Sequence, residues 1–266
     1  MRRIFDRIFG SSSVDNQEKN RVRSVERRPD LLYVVGDIHG RKDLTDELHR
    51  LIDQDATSLG LQPHVVYLGD LVDRGPASAQ LLDMATGPAP RGWSRQFLAG
   101  NHELMMLGFL KKPKANLAWL DFGGTETLFS YGLKASEIEH IRRDPARSAS
   151  LLKSYVPEEH IAFLEGLDTG LAYPGLLLVH AGIRPGTPIA EQSDLDLTRI
   201  KGEFLDSDVD HGMIVIHGHS IVKFPEVRPN RIAIDTGAYA TGVLTALRLA
   251  PGQRPAFLQT GAGRAA

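Results

Sequence analysis

The stretch Leu31-Leu32-Tyr33-Val34-Val35-Gly36-Asp37-Ile38-His39-Gly40 decides how this chain is read. An unbroken apolar run of this length is the mark of a strand buried on both faces. A glycine closes the run, and an aspartate and a histidine follow it. The same device returns twice. Val65-Val66-Tyr67-Leu68 leads into Gly69-Asp70-Leu71-Val72-Asp73-Arg74-Gly75, and Gln96-Phe97-Leu98-Ala99 leads into Gly100-Asn101-His102-Glu103. Between the runs, the spacing predicts helices. Asp43 is placed to cap one whose Leu44, Leu48, Leu51 and Ile52 share a face. Pro76 suits the first turn of another carrying Leu81, Leu82 and Met84. Strands alternating with helices at intervals of about thirty residues predict βαβ units, a parallel sheet and an α/β fold class.

Further strands are expected at Leu176-Leu177-Leu178-Val179, Met213-Ile214-Val215-Ile216, Arg231-Ile232-Ala233-Ile234 and Val243-Leu244-Thr245-Ala246-Leu247. The middle, about 104–170, reads as a helical insertion, broken at Pro113, Gly123-Gly124 and Pro145, that packs beside the site and shapes a groove. It holds no metal-ligand motif, but its Trp119, Phe122, Phe129 and Tyr131 are candidates to line that groove. Residues 1–30 read as a flexible leader whose Ile4, Phe5, Ile8 and Phe9 fall on one face, a weak amphipathic contact for a membrane surface or a partner. Residues 251–266 read as a loose tail, which leaves 31–250 as the folded domain.

With 31 basic and 33 acidic residues the net charge is −2, so bulk electrostatics gives no support for nucleic-acid binding. There is no cysteine, which excludes disulfides, thiolate metal sites and a cysteine nucleophile and fits a reducing cytoplasm. No run approaches the roughly 18 apolar residues of a membrane helix. A cytoplasmic protein without stable membrane insertion is the expectation.

In an open α/β sheet, ligands bind outside the carboxyl ends of the strands. Asp37, Asp70 and Asn101 each stand one residue past a glycine that ends an apolar run. Later strands also run into candidate ligands, His180 and the pair His217-Gly218-His219. Taken singly, a Gly-Asp after a strand is a turn and a strand-end histidine is seldom a ligand. Together they make a cluster of oxygen and nitrogen donors suited to two divalent metals. Imidazole with carboxylate favours Mn, Fe or Zn over Ca. His49, His64, His140, His160 and His211 lack partner spacing and read as surface or core residues.

The motifs Gly-Asp-Ile-His-Gly, Gly-Asp-Leu-Val-Asp-Arg-Gly and Gly-Asn-His-Glu resemble the signature of the phosphoprotein phosphatase family, within the calcineurin-like metallophosphoesterase superfamily. The resemblance continues through Leu178-Val179-His180-Ala181-Gly182, Ile216-His217-Gly218-His219-Ser220 and Ile234-Asp235-Thr236-Gly237-Ala238, and is nearest to the compact bacterial members. It implies a four-layer α/β/β/α sandwich and two divalent cations, Mn²⁺ foremost and Fe or Zn as alternatives. Asp37 and His39 would hold the first, Asp70 would bridge, and Asn101, His180 and His219 would complete the second. The bridging water would attack phosphorus in line, with no phosphoenzyme. His102 would act as general acid, oriented by Asp73, and Arg74 would hold phosphoryl oxygens with its planar fork. Asp235 or His217 would hydrogen-bond a ligand histidine and fix its tautomer, with the alternative that both only satisfy turn backbone. Tyr239 is a candidate to line the site, with a core position as the alternative.

Relatives carry a second phosphate-binding arginine in a Trp-Ile-Arg segment. Here the segment reads Leu197-Thr198-Arg199-Ile200-Lys201, with Lys201 at the arginine's place and Arg199 at the tryptophan's. The role falls to Lys201 or to Arg199. The implied activity is that of a serine/threonine protein phosphatase acting on phosphoproteins or phosphopeptides. A symmetrical dinucleoside tetraphosphate hydrolase is the alternative, and an inactive binding protein on the same fold a remote one. Asp73 and Glu103 favour the phosphatase.

Overall fold

A computed structural model of the protein describes residues 21–261. In chain order it runs β1 (Val22–Ser24), β2 (Leu32–Val35), α1 (Lys42–Leu59), β3 (His64–Tyr67), α2 (Ser78–Thr86), β4 (Ser94–Phe97) and α3 (Asn101–Lys111). A helical stretch follows, with α4 (Gly124–Ser130), α5 (Ala135–Arg143), α6 (Ala149–Tyr155) and α7 (Glu158–Glu165). The chain returns through β5 (Gly170–Tyr173), β6 (Leu176–Val179), α8 (Asp194–Arg199), α9 (Gly202–Leu205), β7 (Ile214–His217), β8 (Glu226–Val227), β9 (Arg231–Ala233), α10 (Ala238–Thr241), β10 (Thr245–Leu249) and β11 (Ala256–Gln259).

Two sheets result, in the orders β11-β10-β2-β3-β4 and β1-β5-β6-β7-β9-β8. They pack face to face. Leu32 and Val34 of β2 and Val66 of β3 point inward with Leu98, against Leu171, Leu178, Ile216 and Ile232 of the second sheet. The alternate residues Tyr33, Val35, Val65 and Tyr67 point outward beneath Leu44, Leu48 and Ile52 of α1 and Leu81 and Leu82 of α2. This double burial explains the unbroken apolar runs, and each such Leu or Val contributes up to about 1.5–3 kcal/mol. On the far side, Leu177, Val179 and Val215 meet Leu197, Ile200 and Phe204 of the α8–α9 region. The layers are therefore α/β/β/α.

Several local expectations give way. The strands form mixed sheets, not one parallel sheet: β2, β3 and β4 are parallel, and β10 and β11 join antiparallel. Asp43 does not cap α1. Arg41 takes both its oxygens, from Nε at 2.8 Å and from Nη2 at 2.6 Å, so no side chain caps that end. The expected leader and tail are each in part structural. Val22–Ser24 pairs in parallel with β5, and Ala256–Gln259 pairs with β10. Both are edge strands, β1 with a charged residue at its centre, too short to show a period. The apolar face at Ile4, Phe5, Ile8 and Phe9 lies outside the described residues. Among the described residues, no helix is long and apolar enough to cross a membrane.

Candidate active site

The loops that leave β2, β3 and β4 of one sheet meet those that leave β6 and β7 of the other. Their backbone is unusual. The non-glycine residues with positive φ among those described are His39 (48°), Asp70 (51°), Asp73 (73°), Arg74 (69°) and His219 (63°). All five were singled out from the sequence as candidate site residues, which is where such strain concentrates. Glycine permits the crowding. Gly40 has φ of 67°, and a Cβ there would stand 2.6 Å from the Gly75 carbonyl carbon. Asp70 O accepts from His39 N at 2.8 Å, tying the first loop to the second.

Buried Glu103 organises this crossing. Its carboxylate accepts from the backbone N–H groups of Asp70 (2.8 Å), Leu71 (2.8 Å), Val72 (3.2 Å) and Gly100 (2.8 Å). Asp37 accepts from His219 N through both oxygens, at 3.2 and 3.1 Å, and so joins one sheet's loop to the other's.

The metal-ligand candidates converge. His39 Nε2 lies 3.4 Å and His180 Nε2 3.3 Å from Asp70 Oδ2. His180 Nε2 is 3.0 Å from Asn101 Oδ1 and 3.2 Å from His219 Nδ1. His39 Nδ1 donates to Val72 O at 2.9 Å and His180 Nδ1 to Leu68 O at 3.0 Å, a tautomer assignment that leaves each Nε2 facing the cluster. Ligand atoms of Asp70, His180 and His219 lie within 4.8 Å of one another, as do those of His39, Asp70 and His102.

The electrostatics fit divalent cations. Burial, then the neighbouring Asp235 carboxylate, pushes Asp37 well above the usual range. Burial would raise Asp70 too, but the charges of His180, His102 and His39 hold it well below. His180 is itself pushed up to about 10: burial opposes its charge, but Asp70 and Asp37 outweigh burial. Burial lowers His39 to about 3 and, with the His180 charge, His219 to about 2. A proton on His180 thus stands where the carboxylates require positive charge. Among the described residues, His219 Nε2 is buried without a hydrogen-bond partner. Neutral imidazoles at His39 and His219 and crowded carboxylates are donors that divalent cations take.

Beside the cluster, His102 Nδ1 meets Asp73 Oδ2 at 2.7 Å. Asp73 is fully buried, and three groups hold it. Trp119 Nε1 donates to Oδ2 at 2.7 Å, Thr127 Oγ1 donates to Oδ1 at 2.6 Å, and Asp73 N donates to Ser78 Oγ at 3.0 Å. Exposed Arg74 donates from Nη1 to His39 Nε2 at 2.9 Å and from Nη2 to His102 Nε2 at 3.1 Å. Its guanidinium lies 4.6 Å above the Tyr239 ring, which meets His39 edge-on at 5.3 Å.

The other expected residues divide. Arg199 is half-buried, and burial lowers its pKa while the Asp70 charge opposes; Lys201 is exposed, and its charge helps to lower His219. Asp235 accepts from Gly237 N at 2.8 Å, and burial followed by the Asp70 charge raises it. His217 turns away, with Nδ1 on Gly218 O at 3.1 Å and its ring against Phe204. Backbone carbonyls, not Asp235 or His217, orient His39 and His180. Trp119 is buried on Asp73, half-buried Tyr131 is bonded to His160, and Phe122 and Phe129 are exposed. The Asp73 holders were missed because nothing local marks Thr127 or Ser78.

The calcineurin-like phosphoesterase family profile matches residues 31–229. In sequence the chain is similar to the bis(5'-nucleosyl)-tetraphosphatase PrpE [asymmetrical] of Bacillus subtilis (strain 168), 28% identical over 245 residues that cover 81% of this chain and 89% of that protein. The protein of the same name from Geobacillus sp. (strain WCH70) is 26% identical over 235 residues, with the same coverage. In structure it is similar to a candidate diadenosine tetraphosphatase, with TM-score 0.62 and 19% identity over 90% of this chain and 98% of that one. A cold-active protein tyrosine phosphatase aligns with TM-score 0.54 and 16% identity over 91% and 81%. At these identities the structural likeness concerns the fold.

Proposed function

Because the chain belongs to the calcineurin-like phosphoesterase family, and is thereby a metal-dependent phosphoesterase, we propose that its substrates are phosphate monoesters of serine and threonine in proteins. The observation that supports this reading is the buried Asp73–His102 pair at 2.7 Å, beside the donor cluster. A serine or threonine oxygen leaves as a strongly basic alkoxide and needs a proton. A nucleotide phosphate leaves as a weakly basic anion and needs one far less.

Asp37, His39, Asp70, Asn101, His180 and His219 would hold two divalent cations, Mn²⁺ foremost. Bound there, the cations would acidify a water for attack on phosphorus and offset charge on the phosphoryl oxygens. The chain's own groups do the rest. Asp73 holds the Nδ1 proton of His102, so the ring is fixed with Nε2 toward the leaving oxygen, where a general acid would deliver its proton. Arg74 offers two donors in one plane and exchanges its bonds to His39 and His102 for phosphoryl oxygens. Arg199 or Lys201 supplies a second cationic contact.

The second reading, hydrolysis of bis(5'-nucleosyl) tetraphosphates, is favoured by the name that the B. subtilis and Geobacillus relatives carry. It is taken here in the asymmetrical form of that name, in place of the symmetrical cleavage expected from the resemblance. A side-by-side measurement with Mn²⁺ separates the two. A higher kcat/KM on a phosphoserine peptide than on diadenosine tetraphosphate is the expected result. The reverse, with AMP and ATP as products, favours the second reading.

A further inference from the structure

The chain beyond the ligand cluster carries an apolar shelf. Tyr239, Ile221 and Phe224 are 38%, 51% and 67% exposed, high values for large apolar side chains. Scattered exposed residues of this kind need no explanation, but Ile221 and Phe224 stand on the segment that leaves His219, and Tyr239 of α10 lies against Arg74. Tyr239 lies under the Arg74 guanidinium at 4.6 Å. Ile221 comes two residues after His219 and packs over Gly237, where a Cβ would stand 3.2 Å from Ile221 Cγ2. Val222 N donates to Asp235 O at 2.9 Å and pins this segment beside the turn that carries Tyr239. Phe224 follows, with the Lys223 ammonium 5.5 Å over its ring.

We propose that this shelf is the subsite for a large apolar side chain next to the phosphorylated residue of a protein substrate. The proposal rests on the phosphoprotein reading and names a sequence preference within it. With the phosphoryl group on Arg74 and the donor cluster, a substrate backbone that leaves across Tyr239 passes over Ile221 and Phe224. The shelf begins at Tyr239, which touches Arg74 and His39, so its occupant is the substrate itself.

The test uses the full chain with Mn²⁺ and phosphoserine peptides that differ only in carrying Leu or Gly on either side of the phosphoserine. Wild-type protein is expected to prefer a Leu peptide by about tenfold in kcat/KM, the lower end for an apolar group in a pocket. Phe224→Ala and Ile221→Ala, each measured alone, should remove most of that preference through KM, with kcat unchanged. Both should leave p-nitrophenyl phosphate turnover as in wild type, because that ester is too small to span the shelf. Equal kcat/KM for Leu and Gly peptides that are turned over overturns the shelf and leaves the phosphoprotein reading standing. A loss in the variants that is equal on p-nitrophenyl phosphate also overturns it, because the residues then act on the site and not on the flank. If p-nitrophenyl phosphate is turned over and no phosphopeptide is, the reading and the shelf fall together.

Discussion

Glu103 accepts four backbone N–H groups from two loops and touches nothing that reacts. Burial, then the Asp70 charge, raises its pKa, yet the four donors suit a carboxylate. Glu103→Gln replaces an acceptor oxygen with a donor, so at least one N–H loses its partner. A loss of about 1–3 kcal/mol is expected, read as a lower urea midpoint at constant m. At His102 the expectation concerns rate. His102→Asn should lower turnover of a phosphoserine peptide by about 10²–10⁴-fold. The loss should shrink on p-nitrophenyl phosphate, whose leaving group needs no proton, and an equal loss on both substrates points to a positioning role instead. Thr127→Val removes one holder of Asp73 without touching His102, and should lower kcat on the peptide while KM stays within error. The ligand candidates were legible because Asp37, Asp70 and Asn101 each follow a strand-end glycine and His180 and His219 follow apolar strands. Thr127 and Trp119 were not, because they lie 54 and 46 residues from Asp73 and meet it only through the fold.

At the scale of elements, the site depends on loops that could not pass each other if they carried side chains. Gly40 and Gly75 touch through their backbones, and Gly40 also has a positive φ. Gly40→Ala should push the first loop off the second and carry His39 with it. The expected outcome is weaker Mn²⁺ binding by calorimetry with an unchanged far-UV spectrum; wild-type affinity would show that the loops have room to spare. The apolar runs of β2 and β3 announced strands because both faces are covered, and their glycine ends announced the site. The edge strands were hidden for the opposite reason. β1 holds its place through a parallel pairing with β5 and an Arg23–Asp168 contact at 3.4 Å, neither of which leaves a pattern in three residues. Mixed pairing was hidden as well, since β10 reads alike in either direction.

For the whole molecule, the crowding of Asp37, Asp70 and Asp235 predicts that bound cations stabilise the folded chain. At a free concentration a hundredfold above Kd, one bound ion adds about 2.7 kcal/mol. In a domain of this size, that should raise Tm by roughly 5–10 °C. Scanning calorimetry with Mn²⁺ and after exhaustive chelation checks this, and activity should vanish and return with the same treatments. A Tm indifferent to Mn²⁺ would remove the ions from the fold's energetics.

The Asp37 link to His219 has a wider consequence. One carboxylate from the first sheet's loops receives an N–H from the second's, and the cluster takes Asp37, His39, Asp70 and Asn101 from one layer and His180 and His219 from the other. The cluster is therefore a gauge of how the two layers sit on each other. A slip of an ångström between them would leave every strand and helix intact and still pull the donors apart. On slow heating, hydrolysis should fade several degrees before the circular dichroism changes, and cooling from that interval should bring it back in full.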